Sequence, residues 1–103
     1  MTEQTKTEIK TYHTLPVEAK AIREEVFVKE QGFVHEFDDT DQIATHLVLF
    51  YQGEPAGVCR IFPAEEPGCW DFGRLAVRKV FRDKHLGSLL VREAEEEARR
   101  QGG

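Results

Sequence analysis

The stretch GRLAVRKVFRDKHLGSLLV, Gly73 to Val91, constrains the fold more than any other part of the chain. Leu75 and Val77 alternate as strand residues do, and the basic run after them opens into a leucine-rich helix at Leu86. A strand that feeds a helix through a basic loop sets the free N–H groups of the helix N-terminus beside Lys and Arg side chains. Such a junction suits an anion, and Gly87 in the opening turn allows close backbone approach. Neither a GxxxxGK[ST] loop nor a GxGxxG fingerprint is present. Taken alone, the basic loop is better read as a solvated surface.

The flanking segments place this junction in a domain. Glu8–His13 alternates as a short first strand, and Thr14 is positioned to cap a helix with Pro16 in its first turn. Leu15, Ala19, Ile22 and Val26 form an apolar stripe along that helix, which Gly32 stops. The polar, acidic run 34–44 reads as a loop or an irregular short helix. Thr45–Tyr51 is a nearly continuous apolar strand, QGEPAG a turn, and Ala56–Phe62 the returning strand. After the turn PAEEPG comes a fourth strand, Trp70–Val77. Leu86, Leu89, Leu90, Ala94 and Ala98 share one face of the last helix, with Gly102 and Gly103 at its C-cap. The order predicts one α+β domain over residues 1–103, a largely antiparallel sheet flanked by helices. The fourth strand has no neighbour on its far side, and an uncovered apolar edge invites pairing with a second copy of the chain.

Composition narrows the partners. With 103 residues, 40% apolar and 32% charged, the chain can bury a modest core. No apolar run approaches the roughly 20 residues of a membrane span, and the N-terminus lacks the apolar centre of a signal peptide. A cytoplasmic protein without a membrane partner is expected. The net charge of −5 argues against nucleic acid. Residues 74–85 nevertheless carry Arg74, Arg78, Lys79, Arg82 and Lys84 against Asp83, a local +4, while Glu30, Glu36, Asp38, Asp39 and Asp41 give residues 30–41 a charge of −5. One region suits an anionic ligand and the other a cationic one.

Cys59 and Cys69 form no metal-binding pattern. A hairpin turning near Glu65 and Glu66 sets Cys59 against Phe72 and Cys69 against Phe62, so no disulfide and two reduced, partly buried thiols are expected. The acidic residues lack the glycine and terminal glutamate of a calcium loop, and no metal is expected. His46 reads either as a base or orienting group, or as a hydrogen-bonded structural residue. Arg23 reads as a helix-surface or loop-anchoring group.

With its flanks, GRLAVRKVFRDKHLGSLLVREAEEEARRQGG closely resembles the central motif of the GNAT superfamily of N-acetyltransferases: a strand ending in L-x-V, an Arg/Gln-x-x-Gly-x-Gly/Ala loop, and a helix. The segment IREEVFVKEQGFVHEFDDTDQIATHLVLFYQGEPAGVCRI resembles the small bacterial ElaA-like or YjcF-like branch, with its R-x-x-VF-V-x-EQG-F signature. The two motifs occur in the family order and cover the chain from Tyr12 on.

The resemblance implies a GNAT-type (acyl-CoA N-acyltransferase) fold and acetyl-CoA as co-substrate, with the acetyl group passing to the amine of a small molecule or peptide. It implies that Leu75, Ala76 and Val77 present backbone to the acetyl carbonyl and pantetheine arm. Arg82, Asp83, Lys84, His85, Leu86, Gly87 and Ser88 would wrap the pyrophosphate. His85 stands where the family has its first loop glycine, and its N–H remains usable if φ stays negative. Direct transfer needs a base for the amine and an acid for the leaving thiolate. Glu30 and His46 are the catalytic candidates, and Glu30, Gln31 and Glu36 the acceptor-site candidates.

Family domains continue with a fifth strand splayed from the fourth and commonly a tyrosine as general acid. Tyr12 and Tyr51 match neither position, so the sequence reads as a GNAT-type fold lacking its C-terminal strands. A fragment of a longer enzyme, a second protomer that supplies the missing strand, and a non-catalytic acyl-CoA-binding or dimerising relative are the three explanations.

Overall fold

The computed structural model describes residues 6–32, 39–66 and 68–102. Strands β1 (Thr7–Tyr12), β2 (Thr45–Tyr51), β3 (Glu54–Pro63) and β4 (Trp70–Val77) form one sheet in the order β1-β2-β3-β4, with every neighbour antiparallel. Helix α1 (Val17–Arg23) and a π-helical turn (Glu24–Glu30) cover one face, and α2 (Leu86–Arg100) covers the other. The expected α+β architecture is the one observed.

Alternation along β2 explains its unbroken apolar run. Leu47 and Leu49 pack with Leu86, Leu90 and Ala94 of α2, while Val48 packs with Ala19, Ile22 and Val26 on the opposite face. A strand covered on both sides favours an unbroken apolar run, and His46, polar and near its start, is hydrogen-bonded to the Asp41 carbonyl. The β2–β3 turn is built on Gln52 and Gly53, at φ 51° and 86°, which matches the twist of the strands it joins. No helix is long and apolar enough to cross a membrane among the described residues.

Several sequence expectations are corrected. The single helix Leu15–Gly32 is split: after Arg23 the turn widens to i→i+5 bonding. Thr14 is not the cap; Pro16 occupies that position without a side-chain hydrogen bond, and its carbonyl accepts the Lys20 N–H at 3.0 Å. Gly32, at φ 78°, does end the helical run. The β3–β4 register is also shifted. Ile61 faces Phe72, Phe62 faces Asp71, and Cys69 lies beyond the strand, its carbonyl accepting the Ala64 N–H. Both cysteines are free; Cys59 is buried, which pushes its thiol up to about 12, and Cys69 is exposed rather than partly buried.

Of the two readings of Arg23, a helix-surface or a loop-anchoring group, the second holds. Arg23 is 1% exposed and donates to both carboxylate oxygens of Asp41, at 2.7 and 3.2 Å. Arg60 donates to the same carboxylate at 2.8 Å. The acidic stretch is therefore no uniform cation trap, because one of its carboxylates faces inward between two guanidinium groups. Asp39 is exposed on the 3₁₀ turn Asp39–Gln42, and Glu36 and Asp38 lie outside the described residues.

Candidate active site

The site forms where β4 hands over to α2. Val58 pairs with Ala76 but Arg60 pairs with Gly73, so Arg74 and Leu75 together face Cys59. This is a β-bulge on an edge strand, with Arg74 at φ 53°. The extra residue bends β4 and turns Leu75 outward into a cleft lined by Gly87, Ser88, Val91, Arg92 and Glu95. Toward the start of β4 an apolar groove follows, lined by Ile61, Trp70, Phe72, Val91, Ala94 and Ala98.

Backbone on the open edge is available to a ligand. The Arg78 N–H donates to the Ala56 carbonyl at 2.8 Å, which fixes the inward-facing residues of β4. By strand alternation, the backbone groups of Val77 point away from β3. Ala76 is buried on the α1 side and Val77 packs half-buried against the α2-side core, so of the three expected arm-binding residues only Leu75 turns its side chain outward.

A 3₁₀ turn, Lys79–Phe81, then carries the chain into the loop. Asp83 and His85 adopt left-handed conformations, at φ 68° and 60°. The condition of negative φ at His85 is not met, and the reason a glycine suits this position is visible: the turn into α2 adopts the left-handed region. His85 is the N-cap residue and its side chain makes no capping bond. The first-turn N–H groups of α2 thus lack the side-chain acceptor that usually satisfies one of them. A Cβ built on Gly87 would meet nothing closer than 4.0 Å, so the mouth of the cleft stands open there. These features fit a diphosphate: open donors at a helix N-terminus, left-handed loop residues, and basic side chains alongside.

His85→Gly is expected to raise stability by up to about 1 kcal/mol, because removing Cβ relieves the left-handed cost and glycine's unfolded-state entropy offsets part of the gain. His85→Val should lower it. Urea midpoints of the two variants on either side of the parent would show this, and a destabilised His85→Gly would contradict it.

The loop's charge is largely committed. Arg82 donates from Nη1 and Nη2 to the Glu30 carboxylate at 2.7 and 2.9 Å, and from Nε to the Val77 carbonyl at 2.9 Å. The hydrogen bond from Arg82 holds the Glu30 carboxyl below its ordinary range. Arg78 pairs with Glu25 at 3.2 Å, and the Lys84 ammonium lies 5.3 Å from the centre of the Tyr51 ring. The structure thus brings Glu30 together with Arg82, not with His46. Gln31 follows Glu30 on the exposed turn, and Glu36 lies outside the described residues.

His46 is 1% exposed. Its Nε2 lies 2.9 Å from the Asp41 carbonyl, which can only accept, so Nε2 carries the proton. Burial pushes the imidazole below its ordinary value. Of the two readings of this residue, the hydrogen-bonded structural one matches its surroundings. Sequence reasoning missed the bulge at Arg74 and the helix residues Val91, Arg92 and Glu95 that line the cleft. The Gly73–Arg74 pair was the available signal, since a glycine inside a strand often marks a bulge.

Comparison with known proteins agrees with this geometry. The model of the Acetyltransferase (GNAT) family matches residues 8–103. A protein of Bacillus subtilis (strain 168) designated an acetyltransferase is 31% identical over 86 residues, 79% of this chain and 57% of that protein. The chain therefore spans little more than half the length of that curated relative. A Lactobacillus plantarum structure designated an N-acetyltransferase superposes with a TM-score of 0.83 at 32% identity, covering 93% of this chain and 69% of that one. Escherichia coli ElaA shares the fold at a TM-score of 0.75 and 20% identity, over 92% of this chain and 70% of its own. A GNAT family acetyltransferase from Brucella melitensis, solved in complex with acetyl-CoA, does so at 0.68 and 19%, over 93% and 71%. On the family match and the bulged strand, left-handed loop and helix that it spans, this chain belongs to the Acetyltransferase (GNAT) family.

Proposed function

We propose that the chain is the acetyl-CoA-binding portion of an N-acetyltransferase that acts on the amine of a small molecule or peptide. The observation that carries this reading is the uncapped N-terminus of α2, opening beside the outward-turned Leu75 of a bulged edge strand. Bound acetyl-CoA supplies an activated acyl group as a thioester. The N–H groups from Asp83 to Ser88 would hold the pyrophosphate, and the outward backbone of Leu75 with the N–H of Val77, whose carbonyl accepts from Arg82 Nε, would orient the arm along the edge of β4. Ala76 fixes that strand from the core side. Fixed donors of this kind stabilise developing negative charge without reorganising during the reaction. Gln31, next to Glu30 at the end of the π-helical turn, borders the acceptor side. The acyl transfer forms a C–N bond and breaks the C–S bond, and the amine proton leaves as the thiolate gains one.

A further strand paired to β4 would make the second wall of the cleft, and a second copy of the chain is one source of it. The free thiols are in keeping with the cytoplasm as the place of action.

Titration calorimetry with coenzyme A, followed by thiol release from acetyl-CoA with a panel of amines, tests the proposal. Gly87→Asp should weaken coenzyme A tenfold or more, about 1.4 kcal/mol, by setting a carboxylate at the phosphates. Its Tm should hold, because the new side chain enters open space. Unchanged affinity would refute the loop assignment. Binding without turnover on any amine would favour the non-catalytic module.

A further inference from the structure

The π-helical turn Glu24–Glu30 places two carboxylates that an α-helix would separate. Residues five apart point roughly 140° away from each other at 3.6 residues per turn. The wider turn of i→i+5 bonding brings such residues close to one line. Glu25 and Glu30 are five apart, and both reach the β4–α2 connection. Glu25 accepts from Arg78 Nε at 3.2 Å, and Arg78 Nη1 donates to the Pro55 carbonyl at 3.1 Å. Glu30 accepts from both terminal nitrogens of Arg82, whose Nε holds the Val77 carbonyl. The guanidinium of Arg82 is thus anchored by all three of its nitrogens, at the residue that opens the loop.

We infer that Glu30 is a positioning residue, which through Arg82 fixes the end of β4 and the start of the 82–88 loop and so ties the acceptor-side segment to the phosphate-binding one. The functional side of this inference rests on reading that loop as the pyrophosphate site. The role differs from that of a proton acceptor. A carboxylate clasped on both oxygens by a guanidinium is a weak base, in keeping with its lowered pKa. It also differs from that of a free anchor for a cationic acceptor, because both oxygens already have donors. The π turn acquires a purpose in the same way: regular α-helix from Val17 onward would direct only one of the two carboxylates at the connection.

The test uses Glu30→Gln, Arg82→Gln and the double variant, with hydrogen–deuterium exchange read at the hydrogen-bonded amides of Arg78, Phe81 and Arg82, where the end of β4 enters the loop. Each single change should speed exchange at these amides about three- to fivefold, the scale expected of one exposed bidentate pair. Amides of β2 should keep their rates. Because Glu30 acts through Arg82, the double variant should match Arg82→Gln alone. Unchanged loop exchange in Glu30→Gln, or additive effects in the double variant, would overturn the inference. Coenzyme A calorimetry on the same proteins separates it from the functional reading. Affinity should fall in Glu30→Gln by the same three- to fivefold. A parent protein that takes up no coenzyme A would refute the pyrophosphate assignment, while the exchange rates would still decide whether Glu30 positions the loop.

Discussion

Asp41→Asn is expected to cost about 3–5 kcal/mol of stability, the range for breaking a buried ion pair from one side. The carboxylate sits between Arg23, 1% exposed, and Arg60, 6% exposed, at 2.7 and 2.8 Å. Asparagine keeps the shape but removes the charge, leaving two buried guanidinium groups with a neutral amide between them. The same residue holds His46 through its backbone carbonyl, so the loss extends from α1 across to β2 and β3. For a domain of this size the total stability is on the order of 5–15 kcal/mol, and the variant would approach the edge of folding. Asp39→Asn, two residues earlier and exposed, serves as the control and should stay within about 0.5 kcal/mol of the parent. Urea unfolding of both decides the matter, and equal midpoints would show that the buried cluster carries little.

Leu90→Ala ranks next, with an expected loss of about 2–5 kcal/mol. Leu90 is 0% exposed and lies among Leu47, Leu49, Leu86 and Ala94, where α2 meets the sheet. Its position depends on a missing atom: a Cβ on Gly57 would stand 3.0 Å from Leu90 Cδ1 and 3.2 Å from the Ala76 carbonyl oxygen. Gly57→Ala should therefore cost about 1–3 kcal/mol by overpacking. In the Leu90→Ala background the shortest of these contacts is gone while the one to the Ala76 carbonyl stays, so the cost of Gly57→Ala should shrink in part, and the double variant should be more stable than the sum of the single losses predicts. Strict additivity would show that the glycine is there for another reason.

The elements most legible in the sequence were those set by short-range pattern. Thr45–Tyr51 and Trp70–Val77 match their strands end to end, and the stripe Ala19, Ile22 and Val26 faces the core as its spacing requires. The architecture followed from element order, since three strands joined by tight turns can only pair as neighbours. What escaped was set by contacts distant in sequence. Arg23 reads equally as a surface residue or a loop anchor until Asp41, 18 positions on, accepts from it, and Arg60, a further 19 positions along, joins the same carboxylate. The conversion of α-helix to π-helix after Arg23 leaves no mark in the residue types. The left-handed turn at His85 was obscured for another reason, because the glycine that ordinarily signals it has been replaced. In the site, the loop was visible as basic residues before a glycine, but the pairing of Glu30 with Arg82 joins positions 52 apart.

The neighbour-by-neighbour order of the sheet has a consequence for how the chain folds. From Thr45 on, each strand pairs with the one just before it across a turn, and α2 packs back on that same meander. Loop closure for these contacts is short, so little chain entropy is lost before the first favourable contacts form. β1 is different, because it must reach over the whole helical segment to find β2. The meander with α2 can thus assemble as a local nucleus, and the docking of β1 and α1 closes the structure afterward, bringing Arg23 to Asp41 only at that late step.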